Sequence, residues 1–294
     1  ASTKIKELTL PARLKTIYEI ISWADGDAQV KSIVDVFYSN KTLAAIHVEA
    51  GNEFFASIDG VLYERNSKGV ADTLLFCPPG KTGNFEVPIE VTKVENGAFN
   101  NTKLSKITFA EYPKDHENYG KPLLEVGNGA MSEFTESYDL QYCVISSASK
   151  LRSIHFPSHL KKLGVYSFSN MSATMNFNMD AHLESIEGGA FIYCMFSELN
   201  LPAVDYIGYG AFSQTELTSI TFHPNSKFTE MPDYLFYSCY YLAEIEIPAS
   251  VEAIGMEAFS ECSELTSVVF QEGSRLRTIG SSAFAGTSIT DFVM

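Results

Sequence analysis

The chain has 294 residues, 45% of them apolar and 13% aromatic, enough hydrophobic material for a continuous core and too much for a disordered chain. Its 36 acidic side chains against 21 basic ones leave a net charge of −15, without the clustered lysine and arginine that nucleic-acid binding requires. No run of about 18 or more apolar residues occurs, so no membrane span is expected. In chain order, Ala1 without an initiating methionine or a charged-then-apolar leader fits a trimmed N-terminus. Ile5, Leu8, Leu10-Pro11, Leu14 and Ile17 make half of a pattern that Phe37 and Leu43 complete. Leu14, Ile17, Tyr18 and Ile21 have helical spacing and predict a short capping helix, with Trp23 covering an otherwise open hydrophobic end. Asp25-Gly26-Asp27 lacks the other spaced oxygen ligands of a calcium loop and reads as a turn.

Leu43, Ile46 and Val48 predict a strand. A hairpin insert follows over 50–80, turning at Asp59-Gly60 between apolar flanks that include Phe54, Phe55, Val61, Leu62, Tyr63, Leu74, Leu75 and Phe76. Phe85, Val87-Pro88, Val91, Val94 and Ala98-Phe99 resume the pattern, and Leu104, Ile107 and Phe109 continue it. A polar loop over 110–122 interrupts before Val126-Gly127 and Ala130-Met131. Leu140, Tyr142, Cys143 and Ile145 predict a further strand whose register is open.

From Leu151 onward the pattern is regular. Its clearest copy is Leu242-x-x-Ile245-x-Ile247-Pro248-x-x-Val251-x-x-Ile254-Gly255-x-x-Ala258-Phe259-x-x-Cys262. Ile245 and Ile247 predict a strand with one buried face, which Pro248 ends for want of an N–H. Val251 and Ile254 begin a second inward segment. Gly255 is read as permitting the bend that Ala258 and Phe259 close. Steps of 23, 22, 21, 25, 23 and 24 residues separate equivalent positions 151, 174, 196, 217, 242, 265 and 289. One such unit cannot bury its own apolar side, so copies must stack, with Phe191, Phe212, Phe236, Phe259 and Phe284 sharing one interior.

This unit resembles the BspA-like leucine-rich repeat. Ser57-Ile58-Asp59-Gly60-Val61-Leu62-Tyr63, with Leu74-Leu75-Phe76-Cys77-Pro78-Pro79-Gly80-Lys81-Thr82-Gly83, is similar to the hairpin that many of those bacterial proteins carry between repeats. The resemblance implies one leucine-rich repeat solenoid over 1–294. Its expected parts are a capping repeat at 1–42, a hairpin insert at 50–80, a loop insert at 110–122 and regular repeats over 151–294. A parallel β-sheet would line the inner face, with short strands, turns and single-turn helices outside. It further implies a secreted or cell-surface protein tied to adhesion, whose partner is a protein or glycan. The alternatives are a spacer or scaffold with no ligand of its own, or a glycan-binding accessory protein. A monomer without cofactor is expected.

Binding on the inner face would fall to residues between the buried ones: His155, Asn176 and Asn178, Glu198 and Asn200, Ser219 and Thr221, Glu244 and Glu246. His159 and His182 share a slot in adjacent copies, but Arg13, Ala203, Lys227, Ser250 and Arg275 fill it elsewhere, which describes a variable solvated ridge rather than a metal site. Tyr206, Tyr209, Tyr234, Tyr237, Tyr240 and Tyr241 admit sugar stacking, though tyrosines more often cover the joins between copies. Cys194, Cys239 and Cys262 sit three residues after the repeat phenylalanine, where Thr102, Met171, Thr215 and Thr287 also occur, and read as packed free thiols. No C-x-x-C pair, G-x-S-x-G elbow, phosphate-cradling loop or H-E-x-x-H is present. Glu244 and Glu246 share a strand face and read as a solvated pair rather than as catalytic carboxylates.

Overall fold

The computed structural model describes residues 5–17, 20–22, 28–30, 40–127 and 150–293. In the copy that begins at Leu242, the strand Glu244–Ile247 buries Ile245 and Ile247 and exposes Glu244 and Glu246, as a period of two requires. The chain turns after Pro248, and Ala253–Ile254 forms a second strand that buries Ile254. Ala258 and Phe259, both fully buried, close the third side of the coil.

Successive coils pair in parallel along the first two sides. On the first side Thr82–Val87, Lys103–Phe109, Ser153–Phe156 and Thr174–Phe177 form one run. Glu198–Asn200 pairs with Ser219–Thr221, and Glu244–Ile247, Ser267–Phe270 and Asp291–Val293 form another run. On the second side Ala71–Phe76, Lys93–Val94, Leu124–Val126, Leu160–Leu163 and Ser185–Ile186 pair in order. Glu230–Met231, Ala253–Ile254 and Thr278–Ile279 follow. Lys106, Ile107 and Thr108 pair directly with Ser153, Ile154 and His155. These two strands are therefore direct neighbours on the first side although 43 residues separate Phe109 from Ser153 in the chain. The strand expected at Leu140–Ile145, with Ala130-Met131 and Cys143, lies outside the described residues.

The third side corrects one expectation: it contains no single-turn helix among the described residues. Instead, two residues per coil, four apart, take left-handed φ: Tyr166 and Asn170, Tyr234 and Ser238, Glu257 and Glu261. These backbones alternate their donors. Tyr234, Phe236 and Ser238 donate to the carbonyls of Met256, Ala258 and Ser260 in the next coil, while Leu235, Tyr237 and Cys239 close tight turns onto Pro232, Tyr234 and Phe236. A helix would direct every N–H along its own chain. Here half are given to the neighbour, so the third side is a further seam between coils.

The interior is a column of rings. Phe168, Phe191, Phe212, Phe236, Phe259 and Phe284 follow one another at centroid separations of 5.9, 5.5, 5.4, 5.4 and 5.2 Å, with interplanar angles no larger than 17°. The glycine of each Ile-Gly pair also proves to have another role. Gly208, Gly255 and Gly280 lack left-handed φ. A Cβ on Gly255 would lie 2.5 Å from Asp233 N, and one on Gly208 2.5 Å from Gly188 N. These glycines are where neighbouring backbones approach too closely for any side chain.

The insert contributes three antiparallel strands, Phe55–Ile58, Val61–Arg65 and Ala71–Phe76, turning at Asp59 (φ 50°) and Gly60 (φ 72°). Its last strand joins the second side of the solenoid. Alternation along Val61–Arg65 sends Val61 and Tyr63 into the main core and Leu62 into a smaller one with Leu10, Leu43, Ile46 and Phe55. A bulge at Leu75 lets Leu74 follow Tyr63 into the first and Phe76 follow Leu62 into the second. The expected capping helix is not formed. Leu14–Ile17 is irregular, Leu14 and Ile17 pack on that smaller core, and Ile20–Ser22 is a strand antiparallel to Ala28–Val30. Tyr18, Trp23, Asp25-Gly26-Asp27 and Phe37 lie outside the described residues.

Candidate functional site: the outward rows of the first sheet

The solvent side of the first sheet carries two rows of polar residues in register. Asn84, Lys106, Ser153 and Thr174 form one, and Glu86, Thr108, His155 and Asn176 the other. Farther along, Glu198 pairs with Ser219 and Asn200 with Thr221, and then Glu244 pairs with Ser267 and Glu246 with Val269. Eight of the nine predicted residues thus stand on outward positions, brought together in three hydrogen-bonded blocks. Burial, and next the nearby Lys106, hold the His155 imidazole below its ordinary pKa, so it stays neutral at pH 7.

Asn178 is the exception. Ser153 pairs with Thr174, and His155 with Asn176, so the outward pair of this coil is Thr174 and Asn176, and the strand ends at Phe177. The copy opens on Met171 and Ala173 instead of a leucine, and so lacks the anchor that sets the register elsewhere. Asn178 belongs to a polar rim built by the loop over 110–122, at the end of these strands. The Glu111 carboxylate accepts hydrogen bonds from Ser158 N (2.6 Å), Ser158 Oγ (2.7 Å) and Asn178 Nδ2 (2.8 Å). Tyr119 donates to Asp180 at 2.5 Å, and Gly120 N donates to Ser158 Oγ at 3.0 Å. Tyr112 stacks on His116, 4.6 Å between centroids, and meets His159 edge-on at 4.8 Å. The sequence points to the loop over 110–122 as a contact surface but does not single out Glu111, Tyr112 and Tyr119; their one signal is the tyrosine, histidine and glutamate content of the loop.

The histidine slot diverges between copies. His159 is 2% exposed under Tyr112, and its burial lowers its pKa against the opposing pull of Glu111. His182 lies toward Asp205, with Nε2 2.7 Å from Oδ1. His159 therefore departs from the solvated ridge expected for this slot. Ala203 in the same slot is buried as well; outside the slot the second side carries ion pairs such as Lys161–Glu125 and Lys162–Glu187, both 2.7 Å. No group of three or more metal-ligating side chains occurs among the described residues. Near the hairpin an open cavity of ≈580 Å³ is lined by Asn52, Phe54 and Arg65, but the Arg65 guanidinium is engaged by the carbonyls of Phe55 (3.1 Å) and Gly69 (2.6 Å).

The cysteine slot puts a donor to use in several copies, although Met171 brings none and Thr102 Oγ1 is buried without a hydrogen-bond partner. Cys194, Cys239 and Cys262 each point Sγ at the carbonyl of the preceding coil's phenylalanine: Phe168, Phe212 and Phe236, at 3.0, 3.1 and 3.1 Å. Thr215 and Thr287 donate instead to Phe212 and Phe284 of their own coils, at 3.0 and 2.9 Å. Burial pushes the Cys239 thiol up to about 11 and raises those of Cys77 and Cys262. Cys77, Cys194, Cys239 and Cys262 are free and buried. Ellman's reagent at neutral pH is expected to find at most one of the five thiols in native protein and all five after denaturation. Rapid reaction of two or more in the native state would contradict this packing.

A search of curated proteins returns no match. Similar solved structures include a leucine-rich repeat protein from Eubacterium ventriosum (18% identity, 98% of this chain and 60% of that one, TM-score 0.43). They also include the pneumococcal vaccine antigen PcpA (17%, 94% and 68%, TM-score 0.43) and a leucine-rich cell surface protein from Faecalibacterium prausnitzii (17%, 96% and 76%, TM-score 0.40). The chain thus spans 60% of the length of the E. ventriosum protein. The model of the BspA type leucine rich repeat region matches in six copies, over 75–120, 139–228 and 185–294, together about two thirds of the chain. With its coils stacked in register around one phenylalanine column, the chain belongs to the BspA-type leucine-rich repeat family.

Proposed function

We propose that this chain is a non-catalytic, macromolecule-binding repeat protein of adhesion type, acting as a monomer at or released from a bacterial cell surface. The partner, a protein or glycan, would lie across the outward rows of the first sheet. The observation that carries this reading is the continuity of those rows beside the fastened loop. Thr108, His155 and Asn176 stand side by side in paired strands, and Glu111, Tyr119 and Asn178 form a rim at their end. Small neutral donors and acceptors backed by a rigid sheet suit hydrogen bonding to a large, flat partner, because little ordering is left to be done on binding. Surface exposure and adhesion are carried over from the bacterial proteins that the repeat resembles.

The test is an array of matrix proteins and glycans probed with the wild-type chain and with a Thr108→Ala, His155→Ala, Asn176→Ala triple variant. The expected result is capture of at least one class, weakened about tenfold or more in the triple variant with the melting temperature unchanged. Capture indifferent to the triple substitution would remove this face as the site. No capture at all would favour the spacer reading.

A further inference from the structure

Net charge is spread unevenly along the solenoid. Residues 184–294 hold 15 of the 36 acidic side chains but only 3 of the 21 basic ones, a net of −12 out of −15. Where the second side of these coils passes into the third, away from the proposed inner-face site, tyrosines stand in solvent: Tyr206 beside Ile207, which bridges Ile186 on the second side, and Tyr209 just past the Ile-Gly pair. Tyr206 and Tyr209 are 53% and 50% exposed. The ring of Tyr209 meets that of Tyr234 in the next coil at 5.2 Å and 44°, and Tyr234 meets Tyr237 at 5.6 Å and 64°. Gly210 follows Tyr209 at a left-handed position, and its missing side chain leaves open space there: a Cβ would meet nothing nearer than Ser213 at 3.7 Å.

We propose that this tyrosine corner, Tyr206, Tyr209, Tyr234 and Tyr237, docks an arginine-bearing basic polypeptide segment. Rings inclined at 44° and 64° make walls rather than a floor. A flat sugar stacks best on a floor; a cation is held between walls, where several ring faces meet it. Carboxylates complete the corner. Glu187 and Glu230 act on the phenol of Tyr206, and Glu257 and Asp233 on that of Tyr234, whose OH lies 3.4 Å from Glu257 Oε1. The cation that also acts on Tyr206, Lys162, is paired with Glu187 at 2.7 Å. Arginine answers both features, because its planar guanidinium stacks on aromatic faces and bonds carboxylates through two parallel N–H groups; lysine, a strongly hydrated point charge, does neither as well. Polyanions are repelled by the field of this half. This surface is distinct from the outward rows, so the inference stands or falls separately from their role.

Isothermal titration of the full chain with three probes tests it: an alternating glycine–arginine nonapeptide, its glycine–lysine analogue, and cellohexaose. The arginine peptide is expected to bind, the lysine analogue about fivefold or more weaker, and the sugar not at all. A Tyr206→Ala, Tyr209→Ala double variant is expected to weaken the arginine peptide about tenfold at an unchanged melting temperature. Glu230→Gln, which keeps the shape of the side chain, is expected to weaken it severalfold and serves if the double variant does not fold. Equal binding of arginine and lysine peptides that neither variant alters would mean attraction by bulk charge alone and would overturn the proposal. So would binding of cellohexaose in preference to the peptides, or no binding of any probe.

Discussion

Replacing Phe236 by alanine is expected to cost about 3–5 kcal/mol, the range for truncating a fully buried phenylalanine. The ring lies between Phe212 and Phe259, 5.4 Å from each and nearly parallel to both, so its loss opens the column from two sides at once. In a regular run of coils such as the one around Phe236 each coil contacts mainly its neighbours, and stability is approximately a sum of coil terms and interface terms. Truncation at Phe236 therefore weakens two interfaces in the middle of the array, and urea unfolding followed by circular dichroism should broaden or split as the halves uncouple. Phe284→Ala is the control. That ring has one neighbour in the column, Phe259 at 5.2 Å, and is only partly buried, so its removal is expected to cost about half as much. Equal losses in the two variants would mean that the column does not transmit stability from coil to coil.

Gly255→Ala is expected to cost about 2–3 kcal/mol, far more than the single added methyl suggests. Its Cβ would meet Asp233 N and Asp233 Oδ1 at 2.5 Å and Pro232 C at 2.8 Å, mostly backbone of the preceding coil, which has no rotamer to escape into. The coils would have to part, straining the bonds from Gly255 N to Met231 O (2.7 Å) and from Met256 N to Asp233 Oδ1 (2.6 Å). Gly273 separates this effect from conformational preference. It sits at φ +78° with no atom within 4 Å of the position a Cβ would take, so alanine there meets only the left-handed penalty of about 1 kcal/mol. Thermal unfolding of the two variants side by side decides the matter. If Gly273→Ala proves the more damaging, close approach of the coils is not what selects glycine in the Ile-Gly pair.

The regular copies are legible because each strand announces itself locally. Ile245, Ile247, Val251, Ile254, Ala258 and Phe259 are all buried where their spacing places them. Among the described strands the register fails in the coil that opens on Met171 and Ala173, where spacing alone puts Asn178 on the strand. Of the candidate binding face, the outward rows follow from alternation. The rim at Glu111, Tyr119 and Asn178 does not, because its contacts join residues 67 and 59 positions apart, and no local pattern records them.

By itself, the sequence determined the repeat, its stacking and which side chains form the shared interior, since burial of a short strand depends on a spacing that any single copy displays. Only the tertiary structure decided that the third side is a hydrogen-bonded seam, without helices among the described residues, that the glycines mark contacts between coils, and where Asn178 and His159 face. Each of these depends on which backbone of the neighbouring coil comes near, and that distance is a property of the stack.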